Sequence, residues 1–422
     1  MASIRPFSGL RYSSSAGDLK ALVAPPYDVL SPEQREEYAA RSPYNVVHLT
    51  LPEEQEGDRS KYVKYARSAA DLAEWRRSGV LAPEPQPSFY RYTQRFALDP
   101  AGPELERTSL VALIHLEPYE NGIVLPHEQT FSHHKEDRLR LLEATRAHLE
   151  CIFGLYEDDG GALHQSVAES ASGVAARVTT DDGVLQILEP ISDRGDCERL
   201  RRAMADKKVW IADGHHRYET ALAFRQAMGE RSGEVAEDYM MMALASMSDP
   251  GLTLLPTHRM LTPKSFEDAE VLQRLGREFA AKPVAADGLV QALSQGAAHT
   301  FGLAIGTEAY LLTPRDAAQL VRNERLKGTE RLKALDVSIL HAVILEELLG
   351  VAGLERLSFT RDAAEALRFA REQNGVSFLM NPPTVEEMKQ IALGGEKMPQ
   401  KSTYYYPKIT SGLVLWALSD FA

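Results

Sequence analysis

One stretch of the chain, Trp210–Leu222, reads W-I-A-D-G-H-H-R-Y-E-T-A-L and constrains the fold more than any other. A short apolar run ends at Asp213-Gly214, and a helical pattern follows at once, with apolar residues three and four positions apart at Ala221, Phe224 and Met228. The pattern predicts a strand, a tight turn and then a helix. Alternation of strand and helix continues from residue 152 to residue 247, which favours an α/β or α+β sheet with helical cover.

The first turn of this predicted helix carries three basic side chains, His215, His216 and Arg217. The N-terminus of a helix is partially positive, so a cation there costs roughly 0.3–1 kcal/mol at an exposed site. A bound anion turns this cost into a stabilisation, because backbone N–H groups and basic side chains then converge on the anion. The sequence therefore predicts either an anion site for phosphate or carboxylate or, on the plainer interpretation, a capped helix start with polar surface residues.

Two residues of the same turn have distinct expected roles. Gly214 permits close approach of the backbone or a positive φ. Asp213 can cap the helix or serve as a ligand of a metal or a substrate. We therefore take Asp213, Gly214, His215, His216 and Arg217 together as the predicted phosphate-binding box.

Composition sets the broad class of protein. The chain has 422 residues, of which 44% are apolar and 25% charged, as in soluble globular proteins of two or three domains. A net charge of −13 disfavours nucleic acid or an anionic membrane as a partner, but it leaves room for a local basic pocket. The two cysteines, Cys151 and Cys197, form no C-x-x-C pair and suit a reducing compartment. With no hydrophobic signal core in M-A-S-I-R-P-F-S-G, we expect a cytoplasmic protein.

Alternation of polar and apolar residues predicts the other main elements. Phe89–Leu98 and Thr108–Leu116 form an antiparallel pair, and Met240–Ala245 is a buried strand. Asn45–Leu49 has a strand-like pattern, and Val337–Leu349 has a helical one. A weakly marked boundary at 262–265 divides an N-terminal α/β portion, 1–262, from a C-terminal α/β portion, 263–422.

A polar loop, P-H-E-Q-T-F-S-H-H-K-E-D-R, forms the second cluster of interest. The metalloprotease pattern H-E-x-x-H fails because Phe131 stands where the second histidine belongs. Three interpretations stay open: a solvated loop with a charged helix start, a different metal site, or an active-site loop. In the last, His127 and Glu128 transfer protons, while Lys135 and Arg138 bind phosphate.

Two further segments contain candidate ligands. Near the end of the chain, Lys401 precedes Ser402-Thr403, but the phosphate-binding pattern G-x-x-x-x-G-K-[ST] is incomplete because its second glycine is missing. In A-P-P-Y-D-V, two prolines stiffen a turn that presents Tyr27 and Asp28, which is either ordinary turn chemistry or a place where the carboxylate holds Mg²⁺ or a hydroxyl group. Neither G-x-G-x-x-G nor G-x-S-x-G occurs in the chain.

Four stretches together resemble the domain of unknown function 1015 family, over nearly the whole chain. They are R-P-F-S-G-L-R-Y with A-P-P-Y-D-V-L-S; P-H-E-Q-T-F-S-H-H-K-E-D-R-L through I-F-G-L-Y; I-A-D-G-H-H-R-Y-E-T-A; and L-D-V-S-I-L-H with M-P-Q-K-S-T-Y-Y-Y-P-K. That family has no secure activity, so the resemblance implies an α/β protein without naming a reaction.

The D-G-H-H-R box also resembles the phosphate-binding box of the ParB/sulfiredoxin superfamily. Gly214 and Arg217 match the first and last positions of the Gly-Glu-Arg-Arg box of chromosome-partition proteins, whereas His215 and His216 depart from it. An Asp-Gly-His-x-Arg version occurs in superfamily members that phosphorylate free serine. The resemblance implies a ParB/sulfiredoxin-like nucleotide-binding core with large insertions and an additional C-terminal α/β portion.

These observations lead to three hypotheses. The first is a phosphotransferase that binds ATP or ADP with Mg²⁺ at the box, with Asp213 as metal ligand, and acts on a small hydroxylated metabolite such as serine. Its positive charge comes from the box together with Lys135, Arg138 and Lys401, and Glu128, Asp28 or His127 acts on the acceptor hydroxyl. The second is a non-catalytic nucleotide switch or scaffold. The third is a metal-dependent hydrolase or phosphatase using His127, Glu128, His133, His134 and His215.

Overall fold

The computed structural model describes residues 2–129, 132–170, 173–229, 232–262, 267–353 and 355–421, without the side chains of residues 132–134. The chain forms two compact units. The first comprises 1–126, 130–253 and 407–422, and the second comprises 127–129 and 254–406. The boundary predicted at 262–265 falls largely on residues 263–266, which lie outside the described residues. In the described part, the chain passes to the second unit after residue 253 and returns to the first unit at residue 407.

A mixed sheet organises the first unit. Its described strands, in spatial order, are Val124–Leu125, Val209–Asp213, Ile152–Tyr156, Tyr239–Ser246, Leu105–His115, Phe89–Phe96, Leu185–Ile191 and Ala176–Thr179, with Ile4–Arg5 also paired to Leu105–His115. Two shorter antiparallel pairs join Leu10–Tyr12 to Leu81–Pro83 and Ala147–His148 to Trp416–Ala417. The antiparallel pair predicted between residues 89 and 116 is confirmed.

Helices cover this sheet. The described α-helices of the first unit are Leu19–Leu22, Pro32–Arg41, Val47–Thr50, Val63–Arg77, Ser132–Thr145, Ala162–Ser170, Arg194–Met204 and His215–Ala227. Short 3₁₀ turns occur at Ser14–Ala16, Tyr27–Val29, Tyr119–Asn121, Ala236–Asp238 and Leu418–Asp420. The mixed α/β class predicted from the sequence is therefore confirmed.

The strand Tyr239–Ser246 lies at the centre of this core. It pairs parallel with Ile152–Tyr156 on one side and antiparallel with Leu105–His115 on the other. All eight of its residues are buried, so both faces of the sheet are covered at this strand. An uninterrupted apolar run is what a strand buried on both faces requires, and the strand predicted at Met240–Ala245 is confirmed.

The strand predicted at Asn45–Leu49 is wrong, because residues Val47–Thr50 form a helical turn. The buried side chain of Asn45 explains the difference. Its amide oxygen accepts a hydrogen bond from the Val47 N–H at 3.0 Å, just before the helical turn, and its amide nitrogen donates to the Ala21 carbonyl at 2.7 Å. Asparagine side chains that bond to nearby backbone favour helix starts and turns over strands.

The second unit contains its own mixed set of elements. Its six-stranded sheet has the order Phe279–Val284, Glu308–Pro314, Phe301–Ile305, Val376–Leu379, His258–Leu261 and Leu357–Thr360. Two short strands are Tyr404–Tyr406 and Thr253–Leu255, and the second of these begins at the last residue of the range 130–253 of the first unit. The described helices are Asp268–Leu275, Ala286–Gly288, Leu289–Ser294, Ala317–Leu320, Glu330–Lys333, Asp336–Ile339, Leu340–Leu348, Ala363–Glu372 and Val385–Leu393. The helix predicted at Val337–Leu349 is present, but its part from Leu340 to Leu348 is a π-helix.

The C-terminal segment, residues 407–421, belongs to the first unit. Its strand Trp416–Ala417 pairs with Ala147–His148, and Leu415 exchanges backbone hydrogen bonds with Leu10. Trp416 is fully buried, and its ring stacks on the imidazole of His148 with the centroids 5.5 Å apart. The segment is therefore part of the core of the first unit.

Among the described residues, no helix is both long enough and apolar enough to cross a lipid bilayer.

Candidate functional site in the first unit

The predicted strand–turn–helix is present, with the strand Val209–Asp213 followed by Gly214 and the helix His215–Ala227. Gly214 has φ +94° and ψ 27°, a left-handed conformation that costs glycine little. A Cβ atom at this position would lie 2.6 Å from Ile152 Cγ2. The turn therefore needs glycine for two separate reasons, its backbone conformation and its packing against the neighbouring strand.

The helix begins directly at His215, and Gly214 contributes no side-chain cap. The first N–H groups of any α-helix have no carbonyl partner inside the helix, and they lie at its positive end. His215 is buried and His216 is half-buried on this first turn. Backbone donors and imidazoles therefore occur together where an anion would be stabilised.

Arg217 is 9% exposed, and its guanidinium faces the protein interior. It donates to the Cys151 carbonyl at 2.9 Å and to Asp213 Oδ2 at 3.3 Å, and it lies 3.8 Å from Glu150 Oε2. Burial lowers the pKa of Arg217, but the carboxylates of Glu150, Asp213 and Asp28 outweigh burial and raise it. Arg217 is thus a permanent positive charge that also ties the start of the helix to the neighbouring strand.

Asp213 bonds to a second cation that the sequence analysis did not single out. Lys408 Nζ donates to Asp213 Oδ1 at 2.8 Å, while Arg217 contacts the other oxygen. Burial raises the pKa of Asp213, but Lys408 and Arg217 more than offset this effect and lower it to about 2. Asp213 is therefore ionised at neutral pH, and each of its oxygens faces a cation.

An inner set of side chains surrounds Arg217. Glu150 is 8% exposed and accepts hydrogen bonds from the Tyr27 N–H at 3.1 Å and from Ser411 Oγ at 2.8 Å. The Tyr27 ring lies 5.8 Å from the guanidinium carbon of Arg217 and 4.1 Å from that of Arg138. The stiff turn predicted at A-P-P-Y-D-V thus positions Tyr27 between two arginines.

Asp28 is exposed on the 3₁₀ turn beside Tyr27. Its charge acts on both Tyr27 and Arg217, raising the pKa of each. The turn therefore brings Asp28 into the electrostatic environment of the box.

The other two basic residues predicted in the loop and helix have close acidic partners. Arg138 is 7% exposed, donates to the Thr50 carbonyl at 2.7 Å and forms an ion pair with Asp137. Lys135 forms an ion pair with Glu219 on the helix His215–Ala227. Arg138 therefore contacts the Tyr27 ring, which also lies near Arg217. Lys135 contacts the helix His215–Ala227 at Glu219, one turn after its start.

A cavity of about 50 Å³ lies behind the box, and Arg138, Glu150, Arg217 and Thr220 are among its lining residues. Within the described part of the chain, Arg217 Nε and Thr220 Oγ1 are buried and have no hydrogen-bond partner in the protein. Buried polar groups of this kind usually bind ordered water, and the volume suffices for one or more molecules. We expect water here to support Arg217 from its inner side.

Three predicted site residues, His127, Glu128 and Lys401, belong to the second unit. His127 is fully buried, and its Nε2 lies 2.8 Å from Thr403 Oγ1. Glu128 Oε1 accepts a hydrogen bond from the Lys401 N–H at 3.4 Å. The second unit thus brings the predicted proton-transfer pair together with the backbone of Lys401.

A buried arginine supports this second group. Arg259 is 1% exposed, and its guanidinium donates to the Lys401 carbonyl at 2.9 Å. Burial lowers the pKa of Arg259 to about 9, while the charge of Glu128 acts in the opposite direction. Arg259 therefore fixes the backbone at Lys401, whose φ of +57° is uncommon for a residue other than glycine.

The described residues show no cluster of side chains that supports the metal interpretation. Among the residues whose side chains are described, no three histidine, cysteine, aspartate or glutamate side chains are grouped as a metal site would require. His133 and His134, which the third hypothesis uses, lie outside the described side chains. Asp213 as a metal ligand stays a prediction.

Sequence reasoning missed Lys408 and Glu150, and it named Tyr27 only as a residue presented by the A-P-P-Y-D-V turn. Glu150 and Tyr27 each occur within or beside a stretch that the sequence analysis quoted, but nothing in their spacing indicates contact with Arg217. Lys408 ends the Y-Y-Y-P-K run, where attention went to Lys401 instead. Its partner Asp213 is 195 residues away in sequence, so only the folded chain reveals the pair.

Fold and site define a mixed α/β protein whose first unit has a cation-rich junction between a strand and a helix. Residues 4–338 match the family model described as Protein of unknown function (DUF1015), and the chain belongs to that family. No curated protein matches the chain.

Several solved structures are similar at low identity. A substituted free serine kinase in complex with AMP is 13% identical, with 74% of this chain and 94% of that chain covered and a TM-score of 0.38. A substituted free serine kinase with ADP is 14% identical, with coverages of 74% and 94% and a TM-score of 0.37. SbnI with a C-terminal truncation, from Staphylococcus aureus, is 12% identical, with coverages of 73% and 88% and a TM-score of 0.37. Similarity at this level carries no inference about ligand or reaction.

Proposed function

We propose that the first unit binds the phosphate groups of ATP or ADP at the Asp213–Arg217 turn. We further propose that the protein transfers a phosphoryl group to a small hydroxylated metabolite. The observation that carries the proposal is the start of the helix His215–Ala227. There Lys408 and Arg217 place fixed positive charge beside an already positive helix end, and two imidazoles lie on the first turn. Serine is the first acceptor to test, because the D-G-H-H-R box resembles that of serine kinases.

Phosphoryl transfer mainly requires positioning and neutralisation of charge, which suits a site made of backbone donors and fixed cations. Within the first unit, Asp28 is the exposed carboxylate whose charge acts on Arg217, and it is our choice to orient the acceptor hydroxyl. Glu128, His127 and Lys401 in the second unit stay predicted contributors.

Mg²⁺ enters the proposal as the ion that accompanies the nucleotide. It binds proteins through one or two carboxylates together with substrate phosphates. Both oxygens of Asp213 already face cations, which favours Asp213 as the anchor of Lys408.

The binding test measures the affinity of the purified protein for ATP, ADP and CTP by isothermal titration calorimetry. Replacing His215 and His216 by alanine removes two imidazoles from the first turn while keeping the backbone donors. We expect ATP or ADP affinity to fall about tenfold or more, as for loss of hydrogen bonds to a charged group. The control is His48→Ala, a half-buried histidine on another helix. Equal affinity in the double variant would refute the site.

The reaction test incubates the protein with ATP, Mg²⁺ and serine, homoserine or glycerate, followed by mass spectrometry. Asp28→Asn and Glu128→Gln are compared, because a base variant should bind nucleotide normally yet lose product. Nucleotide binding without any phosphorylated product favours the switch or scaffold. Stoichiometric zinc or manganese in protein purified without a histidine tag would instead favour the metal-dependent hydrolase.

A further inference from the structure

Lys408 is placed beside the phosphate-binding turn by a part of the chain distant in sequence. It lies in the C-terminal segment, and its ammonium bonds to Asp213, the last residue before the turn glycine. The Lys408 side chain is 13% exposed, so much of it is withdrawn from water. A withdrawn ion pair adds little net stability, because desolvation of both charges offsets their attraction. Stability alone therefore does not explain this placement.

A buried polar network fixes the backbone on both sides of this lysine. Arg107 is fully buried and donates to the Pro407 carbonyl at 2.5 Å, and Gln94 donates to the Lys408 carbonyl at 2.9 Å. Gln94 also donates to Gln186 at 3.0 Å. Burial lowers the pKa of Arg107 to about 10, which shows that its charge is held in a poorly solvated place. Such a network is costly, and costly polar groups often mark function.

Contacts further along the segment tie it to the same site. Ser411 donates to Glu150 Oε1 at 2.8 Å, and Glu150 also lies beside Arg217. Ser411 exchanges backbone hydrogen bonds with Ala24, the first residue of the A-P-P-Y-D-V turn. The C-terminal segment thus touches two acidic partners of Arg217, Asp213 through Lys408 and Glu150 through Ser411.

We propose that Lys408 is a ligand of the nucleotide's phosphate chain, with Asp213 holding its ammonium at the helix start. This inference rests on the proposed function and adds a residue to it. An ammonium that reaches a phosphate beside the N-terminus of a helix is a recurring solution for polyphosphate recognition, as a point charge that adapts to several oxygens. The site is then assembled from the strand–turn–helix and from the C-terminal segment, and it is incomplete without residues 407–421.

The test compares ATP and inorganic tripolyphosphate binding by wild type, Lys408→Met and Lys408→Arg. Methionine keeps the length of the side chain and removes the charge, so we expect affinity to fall about 10- to 100-fold, with partial recovery in the arginine variant. Lys208→Met is the matched control, because Lys208 is an exposed lysine just before the opposite end of the strand that carries Asp213.

A second variant separates binding from folding. Lys408→Met leaves Asp213 without one of its cations, so we add Asp213→Asn/Lys408→Met, which removes both charges of the pair. Weaker binding by this double variant than by Asp213→Asn alone, with native tryptophan fluorescence in both, supports the proposal. Affinity within twofold of wild type in Lys408→Met overturns the role of Lys408 while leaving nucleotide binding intact. Absence of ATP and tripolyphosphate binding in wild type overturns both the proposed function and the role of Lys408.

Discussion

Replacement of Gly214 by alanine tests whether the turn needs glycine for packing as well as for its backbone conformation. Its φ of +94° strains any L-residue, and the new Cβ would lie 2.6 Å and 2.9 Å from Ile152 Cγ2 and Cβ. Backbone strain of this kind costs about 1–3 kcal/mol. Overpacking in a well-packed core adds about 1–3 kcal/mol. We therefore expect Gly214→Ala to lower the free energy of unfolding by roughly 2–6 kcal/mol.

Gly160 is a matched control within the same unit. Its φ is also +94°, but an added Cβ would meet nothing within 4 Å. Gly160→Ala should therefore lose only the strain term, about 1–3 kcal/mol. The loss of freedom in the unfolded chain is the same for both substitutions and cancels in their difference. The difference of about 1–3 kcal/mol reports the contacts of the new Cβ with Ile152 and with Arg217 Nη2, which lies 3.1 Å away.

Urea denaturation followed by tryptophan fluorescence measures both variants. Trp75, Trp210 and Trp416 are buried, and all three belong to the first unit, so the signal reports that unit. Equal destabilisation by Gly214→Ala and Gly160→Ala would refute the packing argument. It would leave positive φ as the only reason for glycine at the turn.

Three further predictions follow from buried titratable groups in the first unit. Burial lowers the pKa of His148 to about 4. The neutral imidazole therefore contributes its full stability above about pH 6.5. As the pH falls from there towards 4, the free energy of unfolding decreases by up to about 1.4 kcal/mol per pH unit. His148→Phe, which retains an aromatic ring against Trp416, should flatten this slope in urea titrations; an unchanged slope argues against the assignment. Burial raises the pKa of Asp213, but Lys408 and Arg217 lower it to about 2, so its stabilisation is present above about pH 4 and disappears towards pH 2. Asp213→Asn should therefore lose less stability than wild type across that interval, as measured by acid titration of fluorescence. Burial raises the pKa of Cys151 to about 12 and also raises that of Cys197. Iodoacetamide at pH 8 should label neither thiol until urea is added, and rapid native labelling in mass spectra would contradict this prediction.

Local pattern was sufficient where neighbouring residues decide the structure. The uninterrupted apolar run at Met240–Ala245 predicts a strand that is covered on both faces, and the structure contains this strand. The strand–turn–helix around Gly214 was equally predictable, because apolar periodicity and a glycine determine both elements. The alternation of residues predicted a strand at Asn45–Leu49, where the structure has a helical turn. Hydrogen bonds from the Asn45 side chain to Ala21 and Val47 determine this conformation, and the alternation does not reveal them.

The candidate site was only partly predictable for a related reason. The box itself is contiguous in sequence, so its charges stand out against the expected sign of a helix start. The partners that determine how Arg217 and Asp213 are held come from Glu150, Tyr27 and Lys408. Those contacts depend on the order of strands in the sheet and on the return of the C-terminal segment to the first unit. Local patterns in a single sequence reveal neither of these features.

The return of the C-terminal segment has a consequence for the timing of biosynthesis. Gln94 donates a hydrogen bond to the Lys408 carbonyl, 314 residues later in the chain, and Arg107 donates to the Pro407 carbonyl, 300 residues later. A ribosome adding about 5–20 residues per second needs roughly 8–30 s to make residues 254–406 after the first unit's earlier part is complete. During that interval a buried arginine and a glutamine lack their final acceptors, and Asp213 lacks Lys408. The nascent first unit therefore lacks these buried hydrogen bonds until residues 407 and 408 have been made.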